Sequence, residues 1–214
     1  MRIVLLCTVL ITCLSFILGC NNELPINERP MYGGIPRTSY QNEIDEQFIK
    51  AVIEQFGSRE AAADKHIEFA WAYYDKGDFK TAMKRFNQAW LLDPDKAEIF
   101  FGFGVLLSES KKYRESKKMY DKAIEIDPKY SKAYHNRGLD HCRTGDFDLA
   151  TLDFYKVIEL EPDNGQVYND RAVIFFEKKE YSKCWDDIHK AESLNYKVHP
   201  GFLKELKKVS GRDK

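Results

Sequence analysis

Apolar residues recur with a helical period ahead of residue 57. Five of them between residues 41 and 57 follow spacings of four, three, one and four, which fits one face of a 3.6-residue helical turn. These residues are Ile44, Phe48, Ala51, Val52 and Phe56. Gly57 suits a left-handed helix end, and Ser58 suits the cap of a following helix. The pattern predicts an amphipathic helix over residues 41–57 whose apolar face needs a partner.

From residue 63 onward the chain repeats itself every 34 residues. Pro94, Pro128 and Pro162 mark the period, and the next step falls on Tyr196. The eighth position of each unit is small: Ala70, Gly104, Gly138 and Ala172. The twenty-fourth position is large: Phe86, Tyr120, Phe154 and Ile188. Small residues let two helices cross closely while large ones fill the gaps, and the proline ends the second helix. The units are 63–96, 97–130, 131–164 and 165–198.

A 34-residue unit built from two helices resembles the tetratricopeptide repeat (TPR), and the resemblance covers residues 63–209. It implies an all-α fold, a helical-hairpin solenoid of four repeats within residues 58–198. The helix at 41–57 precedes the repeats, and residues 199–214 form a capping helix and a basic tail. Gly77 and Gly145 fit the turn inside a repeat, where Lys111 and Lys179 depart from the pattern.

The first twenty residues are typical of an export signal. Met1-Arg2 precedes sixteen uncharged residues, 3–18, and the run ends in Ile17-Leu18-Gly19-Cys20. This ending resembles the lipobox of bacterial lipoproteins. The resemblance implies a cleaved signal peptide over residues 1–19 and a lipidated, palmitate-carrying Cys20 that anchors the chain to a membrane. The alternatives are an ordinary signal peptide and an uncleaved anchor.

The residues after Cys20 bear on location and tethering. Asn21 is not the aspartate that, in lipoproteins, directs retention in the inner membrane, so an outer-membrane anchor facing the periplasm is expected and the inner membrane is the less favoured site. Residues 20–40 carry three prolines and a Gly-Gly pair, which predicts a flexible linker. The alternative is that Met31-Tyr32 or Ile35 docks on the domain. The stretches MYGGIPRT, FGSREAA and RFNQAWLLDPD also resemble repeat-containing bacterial lipoproteins.

Charge and chemistry narrow the function classes. Lys and Arg number 33 against 34 Asp and Glu, so no basic field favours nucleic acid as a partner. We find no motif for a catalytic triad, a Walker loop, a dinucleotide or a metal, so neither catalytic residues nor a cofactor or metal is expected. Beyond the signal and Cys20, only Cys142 and Cys184 remain. One is predicted to face the groove and the other the core, so two free thiols are expected.

Function is therefore expected on a surface. In TPR proteins the second, fifth, ninth and twelfth positions of each first helix face the concave groove, and here these positions are largely apolar or aromatic with charges at the edge. The predicted partner contacts are Trp71, Tyr74, Phe101, Val105, His135, Leu139, Arg143 and Phe176. Such a groove suits a peptide segment of another protein. Alternatively, the helix at 41–57 covers Trp71 and Tyr74.

These observations predict a membrane-anchored scaffold or adaptor in the bacterial cell envelope, with another envelope protein or peptide as its partner. The alternative is a periplasm-facing receptor for a small ligand or a cell-wall glycan, which requires a closed pocket rather than an open groove.

Overall fold

The computed structural model describes residues 26–211. The predicted signal peptide, Cys20 and residues 212–214 lie outside the described residues. Two short 3-10 segments, Ile26–Glu28 and Pro30–Gly34, precede ten α-helices in the described range. The helices are α1 (Ser39–Phe56), α2 (Arg59–Tyr74), α3 (Phe79–Leu92), α4 (Ala97–Glu109), α5 (Tyr113–Ile126), α6 (Ser131–Thr144), α7 (Phe147–Leu160), α8 (Gly165–Glu177), α9 (Tyr181–Ser193) and α10 (Pro200–Ser210).

Helices α2 to α9 form four antiparallel hairpins that stack in chain order. The small eighth position is sterically required: a Cβ at Gly104 would lie 2.3 Å from Cε1 of Tyr120, and one at Gly138 would lie 2.7 Å from Cε1 of Phe154. All four residues at the twenty-fourth position have no exposed surface. The predicted all-α solenoid of four repeats is confirmed, because the close crossings fall where the period places them.

Helix α1 begins at Ser39 because Thr38 caps it. The Thr38 hydroxyl accepts from the Gln41 N–H at 3.2 Å, and the Gln41 side chain accepts from the Thr38 N–H at 2.9 Å. At the other end Gly57 has φ 87°, and its N–H donates to Ile53. Ser58 then caps α2 by accepting from the Ala61 N–H. The start lies two residues before the predicted one, since a capping box fixes it more tightly than the apolar stripe.

The apolar face of α1 packs on the start of the first repeat. Val52 and its neighbours form a cluster with Ala62, Ala63 and Leu92. The ring of Phe48 meets that of His66 edge-on, 5.4 Å between centroids. Helix α1 therefore packs where a second helix of a preceding repeat would lie, and it does so through Phe48, Val52 and Phe56. Its stripe does not cover Trp71 and Tyr74, and Ile44 at its start stays 45% exposed.

The described segment that precedes α1, residues 26–38, packs on the first repeat. Asn87 on α3, which has no exposed surface, donates from Nδ2 to the carbonyls of Asn27 and Arg29 at 3.1 and 2.8 Å. Its Oδ1 accepts from the Tyr32 N–H at 3.3 Å. The flexible linker predicted for residues 20–40 is therefore wrong over residues 26–38, because a buried amide holds the backbone of this segment. Of the two docking alternatives, Met31-Tyr32 is the one seen, with Met31 against the core.

The fourth repeat is followed by a closing helix, as predicted. Pro200 occupies the first turn of α10, and the His199 ring accepts from the Gly201 N–H at 3.1 Å. Leu206 is fully buried against the fourth repeat. None of the helices between residues 26 and 211 is both long and apolar enough to cross a membrane.

Candidate interaction surface

The first helices of the hairpins contact one another in succession, α2 with α4 and α4 with α6. In a stack of this kind they form the concave side, and the second helices form the convex side. The side chains predicted to contact a partner lie on these first helices. The concave side is therefore the surface whose chemistry decides what the protein can bind.

An aromatic ladder forms the floor at the first two repeats. The Trp71 ring lies edge-on to Phe86, at 5.1 Å, and tilted against Phe101, at 5.8 Å. Phe101 continues the ladder to Tyr130 at 5.4 Å. Only 8% of Phe101 and 9% of Val105 is exposed. The prediction that Phe101 and Val105 contact a partner therefore needs correction, because both side chains are buried in the core between neighbouring repeats.

Two carboxylates of the second repeat fix the exposed edges of this ladder. Trp71 donates from Nε1 to Glu98 at 3.0 Å, and the Tyr74 hydroxyl donates to Glu109 at 3.1 Å. Burial, together with the Glu109 hydrogen bond, raises the pKa of Tyr74 above its ordinary value. The two rings are thus held in place, half-buried, with acidic groups beside them.

A buried carboxylate organises the middle of the concave side. Asp140 has no exposed surface and accepts hydrogen bonds from the hydroxyls of Ser108 and Ser116. Arg143 donates to the same carboxylate at 2.7 Å and to Ser108 at 3.0 Å. The Arg143 side chain is still half-exposed and therefore accessible to a partner, although Asp140 partly neutralises its charge.

The third and fourth repeats give a more polar floor. His135 and Asp170 meet at 2.8 Å, between Nε2 and Oδ2. Beside them lies a cavity of about 70 Å³ whose lining includes Ser131, Glu161 and Asn164. Ligand pockets usually measure about 300 Å³ or more, so this cavity is too small for a sugar.

Apolar contact area remains at the fourth repeat. Leu139 is half-buried in the apolar cluster of the last two repeats. Val173 occupies the repeat position equivalent to Trp71 and is 42% exposed. Phe176 packs against Phe202 of α10 at 5.3 Å, so the closing helix covers part of a predicted contact residue. Val173 is therefore the more accessible apolar side chain at this end of the concave side.

The two remaining thiols are free, as predicted. Cys142 is half-buried on α6, and Cys184 is fully buried on α9. Burial raises the pKa of Cys142 to about 11 and that of Cys184 to about 12. Both groups are therefore protonated at neutral pH and are poor nucleophiles.

Two ionic contacts between helices were not predicted from the sequence, one of them buried and the other partly buried. Arg137 holds Asp153 with two hydrogen bonds of 3.0 and 2.5 Å, and Arg171 holds Asp187 in the same way at 2.8 and 2.6 Å. Both pairs join the two helices of one repeat. The sequence does contain a pattern that indicates these pairs. Each arginine precedes its aspartate by 16 residues, and the two pairs lie 34 residues apart.

No cluster of metal-ligating side chains occurs in the part of the chain that the structure describes. Each His or Cys on the concave side, among them His135 and Cys142, is met by structural partners instead.

A family model described as tetratricopeptide repeat matches residues 73–136. No curated protein matches the sequence. Among solved structures, Pseudomonas aeruginosa pilF is similar with a TM-score of 0.63 and 21% identity, over 80% of this chain and 86% of that one. The crystal structure of MamA is similar with a TM-score of 0.59 and 18% identity, over 75% and 96%.

A third similar structure is the first TPR of Spaghetti (RPAP3), bound to an HSP90 peptide. Its TM-score is 0.53 at 22% identity, over 55% of this chain and 93% of that one. Identities at this level establish the fold alone. Together with the repeat model matched over residues 73–136 and the four stacked hairpins, they establish a fold of stacked tetratricopeptide repeats. Solenoids of this kind present an extended concave surface.

Proposed function

We propose that this chain is a lipid-anchored scaffold of the bacterial cell envelope that binds an extended segment of another envelope protein on its concave side. The proposal rests on one observation: side chains on the concave side are held in place before any partner binds. Its aromatic and charged groups are already held by hydrogen bonds between repeats, as Trp71 is by Glu98 and His135 by Asp170. A surface ordered before binding loses little side-chain entropy when a partner arrives.

The charges beside the groove favour a partner segment that is basic as well as apolar. The first helices carry the acidic residues Glu98, Glu109 and Glu177, and Asp75 directly follows α2. The basic residues on the same helices are fewer and include Lys132 and Arg143. Arg143 is itself paired with Asp140. The acidic SRMEEVD peptide named with the Spaghetti structure supports peptides as the ligand class, but its charge is opposite to the one this rim would attract.

The scaffold hypothesis is tested by capture from envelope extracts. Val173→Glu places a charge at the accessible apolar position of the concave side, and Val209→Glu does the same at an exposed site on α10. We expect Val173→Glu to reduce partner recovery about tenfold, because a desolvated charge replaces an apolar contact, and Val209→Glu to leave it unchanged. Equal recovery by both variants would remove the concave side from the proposal.

The anchor is supported by Ile17-Leu18-Gly19-Cys20 after an uncharged run. In cells labelled with palmitate, the full chain should carry label and remain with the outer-membrane fraction, facing the periplasm. Cys20→Ala should lose both properties, since acyl chains on this residue are what hold it. A variant that stays labelled and membrane-bound would point to another anchor.

A further inference from the structure

The convex surface of the third repeat is apolar where the other repeats are polar. On α7, Leu149, Leu152 and Tyr155 are 50%, 64% and 52% exposed. The equivalents of Leu149 are Thr81, Glu115 and Lys183. The equivalents of Leu152 are Lys84, Lys118 and Asp186, and those of Tyr155 are Asn87, Asp121 and His189. Packing within the repeat does not explain these residues, since the fold tolerates polar groups at the same sites three times.

The same face begins with an acidic residue and ends with a basic one. The Asp148 side chain is 87% exposed, and that of Lys156 is 34% exposed. At 100° per residue, Asp148, Leu149, Leu152, Tyr155 and Lys156 fall within an arc of about 120°. Leu152 lies at the centre of this arc, both around the helix and along it. We call this set of five residues the α7 face.

The α7 face is complementary to itself. When two copies of α7 pack antiparallel about a two-fold axis through Leu152, Leu149 of one copy lies level with Tyr155 of the other, diagonally across Leu152. The same operation places Asp148 opposite Lys156, so each dimer gains two opposite-charge pairs. A closed two-fold contact of this kind requires one patch to match its own rotated image, which this arrangement of residues does.

Neighbouring groups leave the face open to a second copy. Arg171 stacks on the Tyr155 ring at 4.3 Å, which holds the ring in place. The partners of Asp148 and Lys156 within the chain are Lys178 and Glu159, both at the surface, where such pairs contribute little. Because second helices form the convex side, the α7 face points away from the concave side.

We propose that the α7 face is a self-association surface through which two copies of this chain form an antiparallel, two-fold dimer. The contact lies opposite the concave side, so it goes beyond the proposed scaffold function and leaves the groove free in both copies. One helix pair buries less than the roughly 1,200 Å² of a standard interface, so the dimer is expected to be weak and to depend on concentration.

Disulfide trapping in membranes of cells that produce the full chain tests the axis directly. Facing Cα atoms of packed helices approach to about 5 Å, within reach of a disulfide. Leu152→Cys should therefore give a covalent dimer under mild oxidation. Leu149→Cys alone should not, because its two copies are offset by about 9 Å along the helices. Lys118→Cys, at the equivalent site of the second repeat, and the unaltered chain are the matched controls.

A charge exchange tests the register independently of the new thiol. In the Leu152→Cys background, Asp148→Lys should lower the dimer yield about tenfold, since two attractive pairs become repulsive. Adding Lys156→Asp should restore it. The proposal is overturned if Leu152→Cys traps no more dimer than Lys118→Cys, or if Asp148→Lys leaves the yield unchanged. Of the altered side chains, Lys156 is 34% exposed and the others are more exposed, so the substitutions spare the core. Light scattering on the Asp148→Lys chain in detergent should give a monomer.

Discussion

At the residue scale, the protein uses buried polar groups to join the helices of its later repeats. Arg171 and Asp187 are 8% and 5% exposed, and two hydrogen bonds hold them together. The second repeat has Phe103 and Met119 at the same positions. The same helix crossing is thus filled by an ion pair in one repeat and by an apolar pair in another, so the stability of each can be compared within one fold.

We expect Asp187→Ala to lower the free energy of unfolding by about 3–5 kcal/mol, because it leaves a buried guanidinium without its partner. The double variant Arg171→Phe with Asp187→Met copies the second repeat and should recover most of that loss. Denaturant titration followed by circular dichroism measures both. A double variant as unstable as the single one would contradict this account of the pair.

His66 predicts a pH dependence. It is 3% exposed, its Nδ1–H donates to the Ala62 carbonyl at 2.8 Å, and burial lowers the pKa of its ring below 6.5. As the pH falls through about 6.5, this histidine becomes protonated in the unfolded chain but stays neutral in the native state. The free energy of unfolding therefore decreases, by at most about 1.4 kcal/mol per pH unit. At neutral pH this loss is absent.

His66→Phe, which matches Phe100 of the second repeat, should reduce that slope between pH 7.5 and 5.5. The unaltered chain is the reference for this slope. Free energies of unfolding at several pH values supply the comparison. An unchanged slope in His66→Phe would show that the ring titrates normally in the native state.

At the scale of elements, the turns inside the repeats differ in backbone strain. Gly77 and Gly145 have φ of 74° and 80°, and Lys111 and Lys179 hold the same left-handed conformation at 59° and 62°. A residue with a side chain loses about 1–2 kcal/mol of stability in the left-handed conformation. Glycine avoids this strain, but it loses more conformational entropy on folding, which offsets part of the gain.

Lys111→Gly and Lys179→Gly should each therefore stabilise the fold by up to about 1 kcal/mol, and Gly77→Lys should destabilise it by a similar amount. Both lysines are exposed at these turns, so few side-chain contacts are lost. Thermal unfolding of the three variants tests the point, and a lower midpoint for Lys111→Gly and Lys179→Gly would contradict it.

The repeat period was enough to predict the hairpins, since a small residue facing a ring is a local steric requirement that recurs, as at Gly104 and Tyr120. It could not predict the docking of residues 26–38. That contact joins one buried amide, Asn87, to backbone groups of an aperiodic segment, which leaves no pattern in the chain. The period also could not predict that Phe101 and Val105 are buried, because their burial depends on packing against the neighbouring repeat.

At the scale of the whole molecule, the two sides of the stack have different chemistry. The concave side offers ordered rings and carboxylates, and the convex side offers the α7 face at the third repeat. The N-terminal segment lies on α3, and α10 closes the last hairpin over Phe176 and Leu206. Repeats at both ends are thus covered by the chain itself, which leaves the middle of the stack and its concave side for partners.

Photo-crosslinking in living cells tests whether a partner binds on the concave side. A photoreactive phenylalanine at Val173 lies on the concave side, and one at the exposed Glu125 on α5 reports on the opposite side. We expect a discrete covalent adduct with another envelope protein at Val173, mapped by mass spectrometry to a short segment of that protein, and none with it at Glu125. An adduct with the same protein at Glu125 and not at Val173 would contradict it.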